Sequence, residues 1–94
     1  MRSRYVAYAL HLKPYLLETW AKSSRPADIE FENGLSWQGL QIEKVKKGRK
    51  KDKQGWVSFV AHYQVGFEQG SVTETSSFIR DPNANWVYLD GKFA

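Results

Sequence analysis

Ninety-four residues, 41% apolar and 26% charged with a net charge of +4, describe one folded domain over residues 1–94 and exclude a disordered chain. The lack of cysteine excludes a disulfide framework, a thiol nucleophile and a Cys-based metal site. No apolar run reaches the ~18 residues that span a bilayer, and residues 5–12 are broken by His11 without a small-residue cleavage site, so a leader is not expected and a cytoplasmic location fits.

The chain opens with a short helix over residues 3–10, for which Ser3 is a plausible N-cap and Val6, Ala9 and Leu10 give the i, i+3, i+4 stripe. Pro14 suits the first turn of a second helix, where a missing N–H costs nothing. That helix should run to about Lys22 with Leu16, Leu17 and Trp20 as its apolar side. Residues 23–26 end it, residues 27–31 could add one further turn, and Asn33-Gly34 closes the helical part.

From Ser36 the spacing changes to strands. Segments over residues 37–46, 55–65, 70–80 and 85–90 are rich in aromatic and β-branched residues and are separated by turn residues. The separators are short enough for hairpins, so the expected sheet is a sequential antiparallel meander with the helices across one face, an α+β arrangement. Alternation puts Val57, Phe59, Ala61 and Tyr63 on one face of the second strand and Trp56, Ser58, Val60 and His62 on the other. In the last strand it groups Trp86, Tyr88 and Asp90. Both faces then carry apolar residues, which suggests a back face used for self-association or for a protein partner.

The positive charge is concentrated. Seven basic residues between Lys44 and Lys53 meet one acid, Asp52, so this run carries +6 and the other 84 residues sum to −2. The run Lys46, Lys47, Arg49, Lys50, Lys51, Lys53 has no apolar anchor and reads as a mobile, solvent-exposed hairpin connection. A polyanion could bind it through charge alone, but specific single-strand binders interleave aromatic platforms and this run has none, Trp56 lying just beyond. Sequence-specific nucleic-acid binding is therefore not expected. His11, at the end of the first helix, and His62 have no partner at catalytic spacing, and no residue set suits a metal or cofactor.

Six segments in order carry a family resemblance: residues 1–5 (MRSRY), 15–20 (YLLETW), 37–40 (WQGL), 57–61 (VSFVA), 74–78 (ETSSF) and 86–91 (WVYLDG). Together they resemble the middle domain of the YchJ family, which implies a cystatin-like fold of the nuclear transport factor 2 superfamily, a curved sheet wrapped around helices. The resemblance also implies flanking Cys-rich SEC-C zinc motifs, for which this sequence has no cysteines, and it brings no established activity. The chain departs from the family pattern at Ala21, commonly His, and at Thr75, commonly Arg.

The resemblance places the face carrying Glu74, Ser76 and Phe78 inward. An inward carboxylate is costly unless paired, and Arg4 is its expected partner through a two-bond guanidinium contact. Asp90 is expected to act similarly beside Tyr88. Trp20, Trp37, Phe59, Phe78 and Trp86 are expected on core faces, where they either fill the interior or line a cavity. Leu16, Leu40 and Ala61 complete the expected core. No catalytic constellation is visible. Three readings compete: a non-catalytic interaction or scaffold module, which the resemblance favours; a small-molecule-binding domain or enzyme with a pocket between helices and sheet, in which Glu74 or Asp90 would be a base; and weak nucleic-acid binding through residues 44–53.

Overall fold

Two short helices lie on one face of a four-stranded antiparallel sheet of order β1-β2-β3-β4. The structure, a computed structural model, describes residues 2–31 and 34–93. The elements are α1 (Arg2–Ala9), α2 (Lys13–Glu18), β1 (Leu35–Lys47), β2 (Gln54–Val65), β3 (Glu68–Arg80) and β4 (Trp86–Phe93). The α+β expectation and the sequential meander hold.

The helices differ from expectation at their ends, each time for a local reason. Ser3 lies inside α1 rather than capping it, and its hydroxyl instead accepts the Tyr15 O–H at 2.8 Å. The C-terminus of α1 closes with Leu12 N–H on Ala7 O (2.8 Å) and His11 N–H on Tyr8 O (3.3 Å), with His11 at φ 56°. This is the paired-bond helix stop with a left-handed residue after the last turn, a position glycine usually fills. The His11 ring stacks on Phe31 at 4.4 Å.

The second helix stops at Glu18, four residues short of the expected Lys22. Tertiary pairing overrides helix propensity here. Tyr88 N–H donates to Thr19 O and Ala21 N–H to Tyr88 O, both at 2.7 Å, so residues 19–21 lie along β4 in a parallel bridge. The expected turn at residues 27–31 is not helical over the described residues; Asn33 of the expected closing pair lies outside them. An exposed Lys13–Asp28 salt bridge (2.8 Å) ties this segment to α2.

Three bulges shape the sheet. Relative to β2, β1 carries extra residues at Gln38 and Glu43, and relative to β3, β4 carries one at Leu89. Each bulge bends its strand and resets which side chains face inward. The inward positions of β1 become Trp37, Leu40, Ile42 and Val45, opposite Tyr63, Ala61, Phe59 and Val57. The curved sheet thus forms a trough under α1.

Full burial is confined to a few positions: Ala7, Leu16, Ala21, Phe59, Ala61 and Val87, with the polar Arg4 and Ser76. Leu16, Phe59 and Ala61 therefore fulfil the core expectation. Trp20, Leu40, Phe78 and Trp86 stay partly exposed, because two short helices cannot roof a trough of four strands. The back face is mixed, with apolar residues as expected among charged and hydroxyl ones. Its rows carry Lys44, Lys46, Ser58, Thr73, Thr75, Ser77, Asp90 and Lys92, with Trp56, Val60, Ile79 and Val87 as the large apolar members.

The basic run has an anchor that its own residues do not contain. Arg80 donates to the carbonyls of Asp52 (3.3 Å), Arg49 (3.3 Å), Lys50 (3.1 Å) and Ala84 (3.0 Å). Its guanidinium lies 3.9 Å from the centre of the Trp86 ring. Asp52 accepts the Arg49 N–H at 2.9 Å, and the hairpin neck is narrow enough that a Cβ on Gly55 would meet Gly48 Cα at 2.8 Å. The loop is exposed, as expected, yet its backbone is organised.

Candidate functional site

The gap between helices and sheet is hollow. An apolar cleft of about 250 Å³ lies beneath α1, lined by Tyr5, Tyr8, Trp37, Phe59, Ala61, Val72 and Phe93, with Arg4, Glu74 and Tyr88 as its polar members. A second cleft of about 250 Å³ lies toward the β1–β2 hairpin and includes Ser3, Tyr15, Thr19, Val57, Phe78 and Trp86. Arg4 lines both.

Arg4 reaches this position because the first helix presents it toward the carboxyl end of α2. Its Nη1 donates to Thr19 Oγ1 (2.8 Å), Leu16 O (3.2 Å) and Thr19 O (3.3 Å). The two carbonyl oxygens lie at the negative end of the α2 dipole, which suits a cation. The guanidinium carbon lies 4.6 Å from the Tyr88 ring centre, 5.1 Å from Trp20 and 6.0 Å from Tyr8, an aromatic box that favours a cation over its ring faces. Burial lowers the Arg4 pKa from its ordinary value, opposed chiefly by Tyr8. Arg4 is only 4% exposed, and its Nη2 is enclosed without a hydrogen-bond acceptor.

Glu74 occupies the middle of an otherwise apolar cross-strand row, Ile42–Phe59–Glu74–Phe93. The expected Arg4–Glu74 ion pair is not formed. Glu74 is half-buried, and its Oε2 accepts from the fully buried Ser76 hydroxyl and, at 3.5 Å, from the Tyr88 hydroxyl. Tyr88 stands between the two charges, its ring toward Arg4 and its hydroxyl toward Glu74. Burial raises the Tyr88 pKa well above the usual phenol value, and the nearby Glu74 charge adds to it. The phenol therefore stays protonated and can donate.

Asp90 is not part of this group. The Leu89 bulge pairs Asp90 with Ser77 on the outer face, where Asp90 accepts the Ser77 hydroxyl. Plain alternation from Tyr88 would have placed it inside. Gly91 takes the inward position instead, and a Cβ there would fall 2.4 Å from Glu74 Oε2 and 2.7 Å from the Tyr88 hydroxyl. Gly91 thus makes the room in which those groups meet.

Of the expected aromatic lining, Trp37 and Phe59 belong to the apolar cleft and Phe78 and Trp86 to the second. Trp20 stands behind Arg4, edge-on to Tyr88 at 5.0 Å. Tyr8, Val72, Phe93 and Gly91 were not anticipated. Tyr8 had a usable signal, lying one helical turn from Arg4; the others depend on strand register. His11 and His62 are exposed and outside both clefts. Among the described residues, no group of three or more His, Asp or Glu side chains could hold a metal. No helix among them is long and apolar enough to cross a membrane.

A curved sheet over helices with a cleft between the layers is the architecture of nuclear transport factor 2-like domains, and the comparisons with known proteins agree. The family described as YchJ, middle NTF2-like domain, matches residues 1–91. A UPF0225 protein of Chromobacterium violaceum is 40% identical over 100% of this chain and 71% of its own length. UPF0225 proteins of Streptomyces avermitilis and Streptomyces coelicolor are 40% and 41% identical over 99% of this chain, covering 63% and 71% of their own lengths. The chain belongs to the YchJ (UPF0225) family. No solved structure matches it significantly.

Proposed function

We propose that this chain is a small-molecule-binding domain whose ligand has an apolar, ring-sized body and an oxygen acceptor. The observation that carries this reading is the apolar cleft beneath α1, into whose aromatic and aliphatic lining Arg4, Glu74 and Tyr88 are set. An oxygen acceptor on the ligand is favoured because the lining carries the Arg4 cation and the protonated Tyr88 hydroxyl. Apolar walls with a few convergent polar groups are the usual form of such sites. The Tyr88 hydroxyl supplies a donor and Glu74, 3.5 Å from it, an acceptor, so a ligand carrying both an oxygen acceptor and a hydroxyl or amine is held at two neighbouring points.

The test is a thermal-shift comparison of three probes of one size: 1-naphthoate, 1-naphthylamine and naphthalene. Naphthoate should bind best because it brings the acceptor. At about 100 times its Kd it adds about 2.7 kcal/mol, which for a chain of this length is a Tm rise of roughly 10 °C or more. A Val72→Phe variant, which fills the cleft, should fold and lose the shift. Equal responses to all three probes, or a response that survives Val72→Phe, would remove the reading.

A second reading keeps the domain as a non-catalytic interaction module within a longer cytoplasmic protein carrying SEC-C zinc motifs. Val6 (49%), Leu10 (64%) and Leu12 (44%) favour it, since these helix-layer side chains are exposed without an apolar cover. Its check is solution mass: a monomer at all concentrations, unchanged by Leu10→Ser, would speak against self-association through this layer.

A further inference from the structure

The outer sheet face, opposite both helices, carries features that the apolar cleft does not use. Lys44, Ser58, Thr75 and Lys92 form one straight row across all four strands. The two central hydroxyls are joined at 2.8 Å, and a lysine flanks them at either end. In the neighbouring row Lys46 pairs with Trp56. Lys44, Lys46, Trp56, Ser58 and Thr75 together line a groove of about 270 Å³. Trp56 is only half-buried, and the ammonium groups of Lys46 and Lys47 each lie 6.0 Å from its ring centre.

We propose that this groove, with the basic hairpin beside it, binds single-stranded nucleic acid without regard to sequence. Hydroxyls between lysines suit a phosphate oxygen, and an indole beside them suits a stacked base; the combination of cationic track and aromatic platform is how such strands are held. The hairpin decides for a polymer over a free nucleotide. Five further cations follow Lys46 within seven residues, Lys47 to Lys53, more than one phosphate group can use. Arg80 holds that loop by three of its carbonyls, so the cations are presented on an ordered backbone. Of the nearby carboxylates, Asp52 and Asp90 are engaged by the Arg49 N–H and the Ser77 hydroxyl, while Glu43 stands exposed at the β1 bulge beside Lys44 and offsets one of the cations. With the lysines and hydroxyls on phosphate and the indole on a base face, which every base offers, the binding is blind to sequence.

The experiment titrates the full chain with labelled oligo-dT, a mixed-sequence single strand and the matching duplex, following anisotropy and the four indole N–H resonances. Both single strands should bind equally and more tightly than the duplex, and the Trp56 indole should shift while that of Trp37, in the cleft, does not. Trp56→Leu should weaken binding roughly tenfold, the loss expected for one stacked base. Lys44→Gln with Lys46→Gln, exposed changes that leave the core untouched, should lower the salt slope by about 1.4, roughly 0.7 for each lost phosphate contact on a single strand. Duplex binding as tight as single-strand binding, an unmoved Trp56 resonance, or an unchanged salt slope would overturn the proposal. Thymidine monophosphate binding as tightly as oligo-dT would overturn the polymer assignment.

Discussion

Arg4 was legible in the sequence as an inward cation, and Glu74 as an inward carboxylate, but not the ring between them. Two opposite charges on facing elements invite an ion pair; here each finds nearer partners. Arg4 takes the carbonyl end of α2 and three rings, while Glu74 takes Ser76 and Tyr88. That choice turns on Tyr88, whose inward position depends on strand pairing. The raised Tyr88 pKa has a signed consequence. Folding holds the phenol protonated while the unfolded chain releases it near pH 10. The unfolded state then binds fewer protons, so this contribution to stability is present below about pH 10 and is lost as pH rises above it. Urea melts from pH 8 to 11 should show a smaller alkaline loss of stability in Tyr88→Phe than in the parent. Equal losses would mean that Tyr88 titrates normally. Gly91→Ala supplies a second check, because its methyl would displace Glu74 and the Tyr88 hydroxyl. It should abolish naphthoate binding while lowering Tm by only a few degrees; intact binding would place the ligand elsewhere.

At the level of elements, the four strands were legible because alternation and turn residues repeat along the chain. Their bulges were not, since a bulge is a property of two paired strands and leaves no period in either. The cost was Asp90, assigned inward with Tyr88 until the Leu89 bulge turns it out. The second helix was read too long for a related reason: residues 19–21 have helical neighbours in sequence but a strand neighbour in space. Arg80 likewise belongs to β3 yet determines the loop between β1 and β2. Arg80→Met should leave the sheet folded and speed tryptic cleavage at Arg49 to Lys53 severalfold, since local opening sets such rates. Unchanged cleavage with unchanged Tm would show that the loop is held by other contacts.

The whole molecule measures 44 × 29 × 18 Å, a thin slab of one sheet and one partial helical layer. Such a slab concentrates its stability in the few positions that are fully covered. Phe59→Ala should therefore cost about 3–5 kcal/mol in chemical denaturation, whereas a cost below ~1 kcal/mol would mean that the trough is not a core. The same incompleteness leaves the clefts open. That much of the interior is hollow could not be read from the sequence, because aromatic residues that fill a core and those that line a cavity alternate in the same way. The four tryptophans mark different places: Trp37 the apolar cleft, Trp86 the second, Trp20 the space behind Arg4, and Trp56 the border shared by the second cleft and the outer groove. Their indole N–H resonances, assigned by single Trp→Phe changes and followed during titration with 1-naphthoate, test the central claim directly. The account predicts a saturable shift of Trp37, with Trp56 unmoved and the response lost in Val72→Phe. A spectrum in which Trp37 does not move, or in which all four indoles drift together without saturating, would contradict it.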